Sequence, residues 1–260
     1  LIAQAFRGSH SAVWIPTFSE YADACRLHGH RVEGISSLEK LTDDEGIFWL
    51  CNPNNPTGQT WDAATLRRLI VAYPRKLFVI DQSYALFTEK EVLSVAETVK
   101  LPNVLLLHSM TKCYAVPGLR LGAVTGSREL LSRIRACRMP WSVNALAVEA
   151  GHYLLQHPEE YCMDIQALLA ERKRVTDALE ALGGVEVLPT DTHYFLVRLQ
   201  QGTAAQLKEF LATRHGLLIR DASNFEGLDA RYFRIAIQTE EENNLLIEGI
   251  HEWIQNSQWD

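Results

Sequence analysis

Residues 46–58 read Gly-Ile-Phe-Trp-Leu-Cys-Asn-Pro-Asn-Asn-Pro-Thr-Gly. Gly46–Cys51 is a short β-rich apolar run, and residues 52–58 after it are turn formers. A short run of this kind, bounded by turn signals, is a strand buried on both faces, which places it in a parallel sheet covered by helices. The form recurs downstream, where Leu77–Ile80 stops at Asp81-Gln82-Ser83-Tyr84 and Val104–His108 stops at Ser109-Met110-Thr111-Lys112. Ser11–Pro16, Arg31–Ile35 and Leu121–Thr125 complete a set of six strand candidates. Helical spacing lies between them at Phe18–His28 and at Ala63–Ala72, the second behind Asp62 as N-cap. This alternation predicts an α/β fold with a mainly parallel, doubly wound sheet.

After Ser127 the pattern turns to long helical stretches, Glu129–Arg138, Val143–His157 and Glu159–Ala181. Gly183-Gly184 then punctuates the chain. Val185–Val187, Tyr194–Arg198, Leu217–Ile219 and Tyr232–Ile237 read as strands, flanked by helices Thr203–His215 and Glu240–Gln255. The expected organisation is a large domain over 1–158, which includes the start of the connecting helices, and a smaller C-terminal α+β domain over 159–260. No internal repeat or low-complexity linker separates them.

Composition bounds the function. With 25 Lys and Arg against 32 Asp and Glu in 260 residues, the formal charge is −7, which argues against a general nucleic-acid or acidic-membrane surface but allows a local anion pocket. At 47% hydrophobic and 22% charged, the chain has material for a core. No apolar run approaches the ~18 residues of a membrane span, and the start carries no secretory leader, so the expected location is the cytosol. The five cysteines, Cys25, Cys51, Cys113, Cys137 and Cys162, are odd in number and scattered, which suits neither a disulfide scaffold nor a zinc module. His28-Gly29-His30 lacks a third ligand and reads as a helix end with a glycine cap. The start at Leu1, without Met, suggests missing upstream residues.

In open α/β sheets, ligands bind beyond the carboxyl ends of the strands. Three such ends here deliver an amide, a carboxylate with a phenol, and an amine with a hydroxyl. Taken singly, Asn52–Gly58 is equally a tight turn, Asp81 equally a helix cap, and a lysine ordinarily a solvated charge. Lys112, however, precedes a mostly apolar stretch, Cys113–Gly122. Desolvation there would lower the amine's pKa and produce the nucleophile that Schiff-base chemistry requires.

Asn52–Gly58, Asp81-Gln82-Ser83-Tyr84 and Ser109-Met110-Thr111-Lys112, with Arg120-Leu121-Gly122 beyond them, together resemble the ordered signature of fold-type I pyridoxal-phosphate (PLP) enzymes, the aspartate aminotransferase superfamily. The resemblance implies a PLP-binding large domain and a role for each matching residue. Lys112 would carry the cofactor as a Schiff base and move protons at the substrate Cα. Asp81 would keep the pyridine nitrogen protonated. Asn55 and Tyr84 would hydrogen-bond the cofactor's phenolic oxygen, and Ser109 and Arg120 its phosphate. Phe18 would stack on the ring, although a core aromatic after a strand is the competing reading.

Finer resemblance runs from about Ser11 to the C-terminal helix. Arg138–Ala147 and Leu218–Ile237 are similar to segments of L-threonine-O-3-phosphate decarboxylases, with histidinol-phosphate aminotransferases as near relatives. Arg220 and Arg234 would then bind the carboxylate and phosphate of a small phosphorylated amino acid, since two anions need two cationic forks. A pair of structural salt bridges is the alternative, and Arg231 is assigned to the surface. The activity implied is decarboxylation of L-threonine O-3-phosphate to (R)-1-aminopropan-2-yl phosphate in cobalamin biosynthesis, by a homodimer. Two other readings stay open: a histidinol-phosphate-type or aromatic aminotransferase, and a PLP-binding regulatory domain, which would need a DNA-binding segment that the sequence does not display. The bond broken is the one held perpendicular to the cofactor ring, so carboxylate placement decides between decarboxylation and transamination. Thr192-His193-Tyr194 departs from the expected Ala-Asn before the aromatic. The upstream glycine-containing helix start that the family uses for phosphate is not in the sequence.

Overall fold

The structure is a computed structural model and describes residues 1–256. The chain forms two compact units, one of Leu1–Asn54 with Thr60–Met163, the other of Asn55–Gln59 with the residues from Asp164 onward.

The first unit holds six strands: β1 His10–Trp14, β2 Arg31–Ile35, β3 Gly46–Cys51, β4 Lys76–Asp81, β5 Val104–Ser109 and β6 Gly122–Gly126. Their order is β2-β1-β3-β4-β5-β6, parallel except for the antiparallel β5–β6 pair. Seven helices accompany them: α1 Ile2–Ala5, α2 Glu20–Leu27, α3 Ala63–Ala72, α4 Val95–Thr98, α5 Met110–Cys113, α6 Arg128–Ala136 and α7 Ala145–Gln156. The unbroken apolar runs have their cause in two cores. Ile47, Trp49, Val79 and Leu105 pack with Tyr21, Cys25, Leu130 and Ile134. Phe48, Leu50, Phe78, Ile80 and Leu106 pack with Leu66 and Ile70. A strand whose alternate residues serve two cores has no polar face. Phe48 and Phe78 are wholly buried, each contributing ~1.5–3 kcal/mol of transfer free energy.

The Asp62 carboxylate accepts the Thr65 N–H at 2.7 Å as the cap of α3. Gly29 has φ +75° just past α2. His30 is buried, its two ring nitrogens 2.8 Å from Ser11 Oγ and from the Ala3 carbonyl oxygen, respectively. All five cysteines are free thiols. Among the described residues no helix is long and apolar enough to cross a membrane.

The second unit is an antiparallel sheet, β7-β8-β10-β9, formed by β7 Val185–Val187, β8 Tyr194–Leu199, β9 Arg220–Asp221 and β10 Tyr232–Ala236. Helices α8 Ile165–Leu182, α9 Ala204–His215 and α10 Glu240–Gln255 cover one face, where Phe195, Val197, Phe233 and Ile235 meet Leu179, Leu207, Leu211 and Ile250. Period-2 alternation sends Leu196 and Arg234 to the other face, where Leu196 packs with Ala222 and Phe225. Two expectations need correction. The strand predicted at Leu217–Ile219 lies instead at Arg220–Asp221, because ladder pairing starts at Arg220↔Arg234 and Leu218 is 78% exposed. The helix predicted over Glu159–Ala181 begins only at Ile165, after a single 3-10 turn at Pro158–Tyr161.

Candidate active site

In the first unit, β3, β4 and β5 are adjacent and parallel, so their carboxyl ends lie side by side at the ~4.8 Å spacing of a sheet. Cys51 pairs with Asp81, and Asp81 with Leu107. The residues just past each strand therefore stand in one row.

The asparagines after β3 divide by task. Asn52, wholly buried, accepts the Trp61 N–H at 2.7 Å and donates to the Trp61 carbonyl at 2.9 Å. Asn54 accepts from the Thr17 hydroxyl at 3.0 Å and donates to the Pro16 carbonyl at 2.9 Å. Both hold loops in place. Asn55, the one predicted as a cofactor ligand, belongs to the second unit, where its Oδ1 accepts from Arg234 Nη1.

At the end of β4 the half-buried Asp81 receives three donors. Tyr21 Oη donates to Oδ2 at 2.7 Å, while the Ser83 N–H and Oγ–H donate to Oδ1 at 2.8 and 2.5 Å. The Ser83 N–H bond is an Asx turn, so Asp81 both shapes the chain and presents a charge. Tyr84 is buried, with its ring 6.1 Å from that of Phe87. Phe18, 43% exposed, meets the Tyr21 ring edge-on at 5.8 Å.

Ser109 caps α5, its Oγ accepting the Thr111 N–H at 3.2 Å. Lys112 lies three residues further on, a spacing that returns to the same side of a helical turn. The ladder pairs Ser109 with Gly122, so Arg120 stands two residues from that pair. Gly122 permits the approach: a Cβ there would lie 2.8 Å from the His108 carbonyl oxygen. Arg120 is a non-glycine residue at φ 56°, ψ 47°, with its guanidinium donating to the Pro117 carbonyl at 3.1 Å. Backbone held in this sparsely populated region concentrates at binding sites. The expected burial of the amine is corrected: Lys112 is exposed. The apolar stretch after it does not wrap it, because Ala115, Pro117 and Gly118 are themselves exposed.

In the second unit, Arg220 and Arg234 are direct cross-strand partners, and paired residues point to the same face. Arg220 lies over the Phe225 ring at 5.4 Å and donates to Asn224 Oδ1 at 2.9 Å. Arg234 lies over the Tyr194 ring at 5.3 Å, and its Nε is buried without a hydrogen-bond partner. Arg174, Arg198 and Arg231 pair with Glu171, Glu186 and Asp229. Among the described residues Arg220 and Arg234 bond only neutral oxygens. Two like charges on one rung are unfavourable by themselves, and their cations are left for an anion from outside. A cavity of about 360 Å³ is lined by Arg220 and Arg234 together with Ile219, Ile235, Glu242 and Leu246.

Sequence reasoning missed Tyr21 and His108. The His108 Nε2 is buried without a partner, and burial holds its pKa below the ordinary value, opposed by the charge of Asp81. Only the strand-end position of His108 could have signalled it. The donor set of the first unit fits pyridoxal phosphate: an amine for its aldehyde, an internally braced carboxylate for its ring nitrogen, a hydroxyl and a guanidinium for its phosphate, and an aromatic ring for its face.

The chain matches the aminotransferase class I and II family over residues 1–250. It superposes on L-threonine-O-3-phosphate decarboxylase from Porphyromonas gingivalis with a TM-score of 0.95 and 40% identity, covering 98% of this chain and 80% of that one. The threonine-phosphate decarboxylase of Salmonella typhimurium is 31% identical over 265 residues, 96% of this chain and 72% of that protein. The histidinol-phosphate aminotransferase of Desulfitobacterium hafniense is 31% identical over 271 residues, 97% and 73% of the two chains.

Proposed function

This chain belongs to the aminotransferase class I and II family and is a PLP-dependent enzyme, and we propose that it decarboxylates L-threonine O-3-phosphate to (R)-1-aminopropan-2-yl phosphate, a step of cobalamin biosynthesis. The observation that carries this reading is the Arg220–Arg234 rung: two guanidinium groups on one face, neither neutralised by a carboxylate among the described residues. They suit a small molecule bearing a carboxylate and a phosphate. Among solved structures identity is 40% with the Porphyromonas decarboxylase and 24% with the histidinol-phosphate aminotransferase of Clostridium acetobutylicum, while by sequence the Salmonella decarboxylase and the Desulfitobacterium aminotransferase are both 31% identical.

In this reading bound PLP supplies the electron sink for the bond broken at the substrate Cα. Lys112 would hold the cofactor's aldehyde carbon and, once the substrate's amine has displaced it there, its freed ammonium would return a proton to Cα after CO₂ has left. Asp81 keeps the proton on the ring nitrogen, Asn55 and Tyr84 bond the phenolic oxygen, Phe18 covers the ring, and Ser109 and Arg120 hold the cofactor phosphate. Arg234 orients the substrate carboxylate and Arg220 its phosphate, and that orientation selects the Cα–carboxylate bond for cleavage. The enzyme acts as a homodimer, a reading supported by exposed apolar side chains from Met139 to Leu155, among them Trp141 at 95% and Leu146 at 75%. Its free thiols suit a reducing cytosol.

The test supplies PLP and threonine phosphate and measures CO₂, with and without 2-oxoglutarate. CO₂ release independent of the keto acid is the expected result. Conversion of 2-oxoglutarate to glutamate would instead make the protein an aminotransferase.

A further inference from the structure

Asp81 does not meet its surroundings alone. Tyr21 comes from α2, sixty residues away in sequence, to donate to Asp81 Oδ2 at 2.7 Å, and Ser83 supplies both donors to Oδ1. The Tyr21 side chain is 8% exposed, and its ring is stacked on Trp49 with centroids 5.9 Å apart. The edge-on contact with Phe18 means that a single ring braces two groups assigned to the cofactor, the carboxylate and the stacking aromatic. Burial, and after it the charges of Cys51 and Asp81, pushes the phenol well above its ordinary range. It therefore stays a donor and never becomes a competing anion.

We propose that Tyr21 is a positioning residue which, together with Ser83, sets how firmly Asp81 holds the proton on the cofactor's ring nitrogen. The inference rests on the assignment of Asp81 to that nitrogen. Three donors spread the carboxylate's negative charge. Removing one, at a half-buried site, moves the shared proton toward the carboxylate and takes positive charge off the ring. A less positive ring withdraws less electron density from the C=N bond to Lys112, so that nitrogen keeps its proton to higher pH.

The experiment loads the wild type, Tyr21→Phe, Ser83→Ala, Asp81→Asn and Lys112→Ala with PLP. For each it records the pH titration of the visible absorbance, the PLP dissociation constant, and the melting temperature without cofactor. Tyr21→Phe, which removes only a hydroxyl, keeps the colour, moves the titration midpoint to higher pH and weakens PLP binding roughly tenfold, the size of one hydrogen bond to a charged group. Ser83→Ala moves the midpoint the same way, and Asp81→Asn moves it further. Midpoints unmoved in both Tyr21→Phe and Ser83→Ala overturn the proposal, and should Tyr21→Phe fail to fold, Ser83→Ala decides it. Colour that persists in Lys112→Ala, or a midpoint unmoved in Asp81→Asn, overturns the underlying assignment instead.

Discussion

In the first unit the Asp81 carboxylate is met by three internal donors, whereas in the second Arg220 and Arg234 face each other across a rung and, among the described residues, bond only neutral oxygens. The carboxylate is braced before any ligand arrives, which suits a group that must hold one proton on one atom throughout a reaction. The arginines are aimed, and their charge is kept for what binds. On the proposed reading the carboxylate serves a resident cofactor and the arginines a passing substrate, which call for these two different treatments.

Substitutions can break that contrast, beginning with the largest effect. On the proposed reading Lys112 is the covalent tether, so in Lys112→Ala the visible absorbance of the loaded protein should disappear and CO₂ release should fall by at least roughly 10³-fold. Retained colour would mean that another amine carries the cofactor. Arg234→Ala lowers kcat/KM for threonine phosphate by roughly 10–100-fold. Arg220→Ala does so mainly for phosphorylated substrates; equal losses on threonine and threonine phosphate would remove its phosphate role.

Smaller effects sharpen the same contrast. Gly58 sits at φ +73° with the space for a Cβ filled by Thr190 Oγ1 and, at 2.6 Å, the Tyr194 carbonyl oxygen. Gly58→Ala should cost the second unit about 2–3 kcal/mol, read as a lowered denaturation midpoint. His108 works in the other direction. Its pKa lies below the ordinary 6.5 because burial disfavours the cation, so below pH 6.5 the unfolded chain binds more protons and stability is lost as pH falls. His108→Gln should flatten that loss in denaturant titrations between pH 7.5 and 5.5, and an unchanged slope would discount the buried ring.

The sequence made the first unit legible because burial on both faces forces unbroken apolar runs, and the polar residues that end them mark the strand ends. The placements of Asp81, Ser109 and Lys112 come from that alone. Tyr21 was not legible, since nothing near residue 21 points to residue 81 and only packing joins them. The exposure of Lys112 was misread for a related reason: an apolar neighbourhood in sequence encloses a side chain only where the chain folds back over it. The shift of β9 to Arg220–Asp221 shows the same limit, a ladder register outweighing local hydrophobicity.

The antiparallel β5–β6 pair has a consequence for how the protein assembles. Across it Ser109 and Arg120 are eleven residues apart in the chain, while Asn55 and Arg234 are 179 residues apart. Loop-closure entropy makes the longer link costlier by about 2.5 kcal/mol. The β5–β6 hairpin can therefore close early and locally during folding, and the asparagine–arginine clasp must form late, after the chain between its two ends is in place.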